Sequence, residues 1–225
     1  MEKTPSERKE IALKRIATHE RVYCGQKYVF VDNKQKSTNV IFTGAGQKYY
    51  MMISWFGEDK THNYLYLNHN PYNETTEKII ANCQSVSYNM IGISYGAAAA
   101  IYYSTKFPTN TVVSIDPEPL GHRFSGKEFW DFFSASKSVF FFHFSAHPSD
   151  VANYKKIIAH IDKTKLMYFV KCSRSPVHSA NIPNEYTIME YIRFVERLID
   201  ESGECGILMK ETKMSQLGME FLPWT

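Results

Sequence analysis

The 225-residue chain has only four cysteines, Cys24, Cys83, Cys172 and Cys205, and they lie far apart. No pair has the short spacing of a zinc knuckle or a dithiol redox motif. They are expected to be free thiols in a reducing compartment, so the expected location is the cytoplasm. Charge of one sign is equally scarce: 26 Lys and Arg against 23 Asp and Glu leave a net +3. The basic residues are scattered, which argues against a nucleic-acid partner or a membrane surface. No apolar run approaches the length of a membrane span. Residues 1–10 lack the apolar core of a secretory signal. There is no repeat, low-complexity tract or obvious linker, and the length suits one domain over residues 1–225 with a sizeable core. The packing of residues 20–27 and of the apolar tail 206–225 stays open at this level.

What is present is an ordinary apolar share of 44%, a charged share of 22%, and 15 each of Tyr and Phe. A charged segment over residues 5–19, with Ile11, Leu13 and Ile16 interleaved, reads as a short helix. Strands are predicted at 28–31, 40–42 and 64–67, and a helix with an acidic first turn at 74–81. From residue 86 the pattern alternates. Strands at 86–93, 111–115, 138–144 and 165–170 are separated by helices near 97–103, 126–133 and 151–161, and a helix over 186–199 follows. Such alternation implies a mostly parallel sheet with helices on both faces, a three-layer α/β/α sandwich. Ligands of such sheets gather at the carboxyl ends of the strands. The loop at Gly44 and Gly46, Ser94, Asp116, and the loops after Phe144 and Val170 all fall at those ends.

One motif carries specific chemistry. Gly92-Ile93-Ser94-Tyr95-Gly96 joins a predicted strand to a predicted helix, which is the pattern of a nucleophile elbow. At average Gly and Ser usage the bare pattern arises by chance about 0.08 times in a chain of this length. The strand before it and the small-residue helix start at Ala97 to Ala100 sharpen it further. A Cβ at either glycine is expected to collide with a neighbouring strand or helix. The bland alternative is a tight turn with a solvated serine.

A serine nucleophile needs a base, and the base needs an acid. Of the histidines after Ser94, His178 lies in a loop after the last predicted strand. His143 sits inside an apolar strand and reads as a core residue; His160 lies on a helix and His122 on a crossover. For the acid, Asp150 follows the strand 138–144, Asp116 ends the strand after the elbow helix, and Glu118 is a third option. Asp150 has a competing role as a start of the helix from Val151. The oxyanion would be met by the Tyr95 amide and by the loop of Gly44, Ala45, Gly46 and Gln47. A dinucleotide loop at Gly44–Gly46 fails, because Tyr49 stands where the third glycine is needed. The aromatic-rich crossover, with Phe124, Phe129, Trp130, Phe132 and Phe133, would line an acyl pocket, stack on sugar rings, or cover the sheet.

Together these features resemble the α/β-hydrolase superfamily over residues 28–200. The resemblance implies Ser94 as nucleophile, His178 as base, Asp150 as acid (Asp116 as the alternative), and Tyr95 with Ala45 or Gly46 as oxyanion donors. Gln47, Phe124 and Trp130 would contact substrate, and no metal is implied. The crossover 117–137 is too short for a large lid. The small body is similar to bacterial polysaccharide O-acetyltransferases and to the acetyltransferase component of accessory secretion systems. The expectation is therefore a serine esterase or O-acetyltransferase acting on a small ester or a carbohydrate acceptor. Acetyl-CoA would be the donor if it transfers, with no tightly bound cofactor. A catalytically silent hydrolase-like binding protein is the alternative, and a homo-oligomer is left open.

Overall fold

Strand β7 (Val139–Phe144) reads Val-Phe-Phe-Phe-His-Phe, and every one of its residues is buried. A strand this apolar has no solvent face, so both sides of its sheet must be covered. The computed structural model has that arrangement. It describes residues 4–44, 50, 52–56, 59–68, 73–118, 127–160, 167–179 and 182–202.

Among them, eight strands form one sheet: β1 (Glu20–Tyr23), β2 (Gln26–Val31), β3 (Ser37–Phe42), β4 (Asn63–Leu67), β5 (Ser87–Ile93), β6 (Thr109–Ile115), β7 and β8 (Met167–Cys172). Their order is β1-β2-β4-β3-β5-β6-β7-β8. The first two pairings are antiparallel and the rest are parallel. Helices α2 (Glu74–Ala81), α3 (Tyr95–Ser104), α4 (Lys127–Ala135) and α5 (Pro148–His160) lie toward one face. Helices α1 (Pro5–His19) and α6 (Glu185–Ser202) lie toward the other. The three-layer α/β/α sandwich expected from the alternation is what forms.

The pleat sorts the core. Val40 and Phe42 face α3 while Ile41 faces the opposite layer; Leu65 and Leu67 alternate with Tyr64 and Tyr66; Phe140, Phe142 and Phe144 alternate with Val139 and Phe141. His143 falls in this run, 1% exposed, with neither ring nitrogen hydrogen-bonded among the described residues. Burial, helped by the charge of Lys171, pushes its pKa down to about 3, so it stays neutral in the core.

Helix α1 opens on a capping box, in which the Thr4 hydroxyl and the Glu7 carboxylate each accept the other's backbone N–H. Its Arg15 donates to the carbonyls of Ile53 and Trp55, each at 2.7 Å, which ties the helix to the segment before β4. Beyond that segment, His62 bonds Glu196 at 2.6 Å and joins β4 to α6. Trp130, set out above as a substrate contact, is a core residue here. Helix α4 turns Trp130 and Phe133 inward and leaves Phe132 exposed; Trp130 meets Phe133 edge-on at 5.5 Å and stacks on His160 at 4.0 Å. Phe124 and the Phe129 side chain lie outside the described residues, as do residues 119–126 of the crossover and the tail 203–225. No helix among the described residues is long and apolar enough to cross a membrane.

Candidate active site

Strands β3, β5, β6, β7 and β8 run parallel and adjacent, so their carboxyl ends make one continuous edge. Every loop that the sequence brought to that edge starts there.

The bend after β5 is the centre of it. Ser94 has φ 54° and ψ −121°, a strained backbone for a residue with a side chain. Its N–H donates to the Ile115 carbonyl at 2.8 Å, and its own carbonyl accepts from Ala97 and Ala98 in the first turn of α3. The glycines make this geometry feasible. A Cβ on Gly92 would lie 2.1 Å from the Gly96 carbonyl oxygen, and one on Gly96 would lie 2.4 Å from the Phe42 carbonyl oxygen. Both collisions are with backbone, which cannot swing aside. Gly44, at the end of β3, also leans on the bend: a Cβ there would stand 3.6 Å from the Ser94 Cβ.

From the end of β8 the chain carries His178 back over this bend. Its Nε2 lies 2.9 Å from Ser94 Oγ and its Nδ1 lies 2.8 Å from Asp150 Oδ1. An ionised carboxylate only accepts, so Nδ1 carries the proton and donates it to Asp150. Nε2 is then left to accept from the serine hydroxyl. Exposure is graded along the chain of bonds, with the Asp150 side chain at 0% and the His178 side chain at 27%. Ser94, too, is only half-buried.

Asp150 does not cap a helix from Val151. Helix α5 already begins at Pro148, which sets Asp150 inside its first turn. Its second oxygen is held by the Ser145 hydroxyl, which donates to Asp150 Oδ2. The two loops are laced together by Ser173 N–H to the Phe144 carbonyl and Ala146 N–H to the Ser175 carbonyl, at 2.8 and 2.7 Å.

Asp116 does not reach His178 by a hydrogen bond. Its Oδ1 accepts the Ser145 N–H at 2.6 Å, so Ser145 bridges the two acids through its amide and its hydroxyl. Asp116 is fully buried with φ 47°. Burial pushes its pKa up to about 6, the nearby Asp150 charge adds to this, and the Ser145 N–H and His178 oppose it.

Glu118 stands on the other side of the imidazole, its Oε2 3.5 Å from Nε2 rather than Nδ1. The sequence offered Glu118 only as a stand-in for the orienting acid, because which ring nitrogen a residue faces cannot be read from spacing. Tyr95 is the first residue of α3, at the positive end of the helix dipole. Ala45, Gly46 and Gln47 lie outside the described residues.

His147, Asp150 and His178 bring three ligand atoms within 4.8 Å of one another. A cation there would have to displace the His178–Asp150 hydrogen bond. His147 Nδ1 is also engaged, 2.8 Å from the Ser149 hydroxyl.

No family profile and no curated protein sequence matches the chain. Solved structures do. Esterase B from Lactobacillus rhamnosis, inhibited by a tributyrin phosphonate, superposes with a TM-score of 0.55 at 10% identity, over 88% of this chain and 94% of that one. Est1E from Butyrivibrio proteoclasticus gives a TM-score of 0.53 at 11% identity, over 80% of this chain and 98% of that one. The chain has the α/β-hydrolase fold. At such identities the likeness concerns the fold. Within it, the α/β-hydrolase fold puts a strand-to-helix bend at the centre of the sheet, and here that bend carries Ser94.

Proposed function

We propose that this α/β-hydrolase-fold protein is a serine esterase that forms an acyl-enzyme on Ser94. The observation that carries this is the hydrogen-bonded series Ser94 Oγ, His178, Asp150 at 2.9 and 2.8 Å. The names of the two fold neighbours, both esterases, agree with it.

In the first half-reaction Ser94 Oγ bonds to the ester carbonyl carbon as its proton passes to His178 Nε2. The carbonyl electron pair moves to oxygen. The Tyr95 amide is assigned to that oxyanion, with Ala45 or Gly46 as second donor. When the pair returns, the bond to the alcohol oxygen breaks and the alcohol leaves with the proton from Nε2. Asp150 holds the ring in the required tautomer and faces the imidazolium charge while it exists. Water, or another hydroxyl, then repeats the steps on the acyl-enzyme and restores Ser94.

Hydrolysis and transfer share the first half, so the products decide between them. Phenyl acetate is offered with and without free sugars, and acetate and acetylated sugar are measured by mass spectrometry. Acetate release is the expected outcome. Acetylated sugar as the main product would make the chain an O-acetyltransferase. Neither product from folded protein would leave a catalytically silent hydrolase-like fold.

A further inference from the structure

The carboxylate of Glu118 lies 3.5 Å from the Nε2 atom of His178. In an acyl transfer through Ser94, that nitrogen takes the serine proton and then delivers it to the departing alcohol oxygen. Whatever flanks Nε2 therefore flanks the alcohol half of the ester rather than the acyl half.

The position of Glu118 is fixed by the backbone. Its own N–H donates to the Ser94 carbonyl at 3.2 Å. The residue before it, Pro117, is buried and has its carbonyl held by Asn153 Nδ2 at 2.7 Å. Glu118 is thus anchored to the same bend that presents the nucleophile. Its side chain remains 36% exposed, so it is open to a ligand as well as to the imidazole. Asp150, the carboxylate hydrogen-bonded to the ring, is buried on the Nδ1 side and has no free face for substrate. Among the described residues around His178, no Lys or Arg pairs with Glu118.

A carboxylate there stabilises a cation on the departing alcohol and repels an anion, through a medium that screens less than bulk water. We infer that Glu118 is a specificity-determining residue that selects esters of positively charged alcohols, such as amino alcohols, over esters of anionic ones. This rests on the esterase reading above and names the substrate class of the same site.

Three matched acetates test it: acetylcholine, its uncharged isostere 3,3-dimethylbutyl acetate, and the anionic 2-sulfoethyl acetate. The expected order of kcat/KM in the wild type is cation, neutral, anion, with steps of about tenfold. In Glu118→Gln each step shrinks to about threefold or less, and in Glu118→Lys the order reverses. The wild-type steps also shrink as salt is raised. Turnover of all three esters with an order that Glu118→Gln leaves unchanged overturns the inference and spares the esterase reading. Turnover of none of them removes the esterase reading and this inference with it.

Discussion

His178→Ala is expected to lower kcat/KM for a short-chain ester by at least about 10³-fold while the fold survives. Among the described residues, Ser94 Oγ has one base within hydrogen-bond reach, His178 Nε2 at 2.9 Å. A serine hydroxyl is a weak nucleophile at neutral pH, and without a proton acceptor the attack must expel its proton to water. Nothing described replaces the ring. His143 is buried in β7 and His160 is stacked on Trp130. Among the described residues His147 is the other imidazole close by, 5.9 Å from His178 between ring centres, and its Nδ1 bonds Ser149. His178 sits in a loop with 27% of its side chain exposed, so truncation opens no core cavity. Far-UV circular dichroism and thermal melting should therefore be close to wild type. Steady-state kinetics on a protein passing both checks gives the answer, and a near-normal rate would remove His178 from the mechanism.

The second large effect separates the two aspartates. Asp150→Asn is expected to cost about 10⁴-fold in kcat. An amide can donate to Nδ1 as well as accept, so the imidazole is free to carry its proton on Nε2. In that tautomer it cannot accept the serine proton. Asp116→Asn is expected to cost less than about tenfold, since the amide oxygen can still accept the Ser145 N–H now bonded to Oδ1. Its signature lies in the pH profile. The Asp116 carboxyl is raised to about 6, so below that pH the wild type already carries it protonated. Wild type and Asp116→Asn should then agree below about pH 6 and diverge above it, where only the wild type has the added charge. A larger loss in Asp116→Asn than in Asp150→Asn would hand the orienting role to Asp116.

The layers were legible because both faces of the sheet are buried, which writes near-continuous apolar runs such as Phe140 to Phe142 into the strands. The elbow was legible because its two glycines are forced by backbone collisions at Gly92 and Gly96. Strand β1 was not. It is a four-residue edge strand with its two middle residues exposed, so it carries no apolar pattern. Its turn to β2 uses Cys24 and Gly25, both at positive φ, where an Asn or Asp before the glycine would have announced a hairpin. Trp130 was ambiguous because a core aromatic and a sugar-stacking aromatic look alike until the helix face is known. The choice between Asp116 and Asp150 was open for a related reason. Asp116 directly follows β6 and Asp150 comes after the adjacent parallel strand β7, and only the helix start at Pro148 and the bridge through Ser145 set which one meets Nδ1.

Intact-protein mass spectrometry after exposure to a fluorophosphonate, followed by peptide mapping, bears most directly on whether the Ser94 hydroxyl is an activated nucleophile. The expected result is one adduct per chain, on Ser94, and none on folded Ser94→Ala protein. Folded wild-type protein that takes up no adduct, or takes it up on another residue, contradicts it.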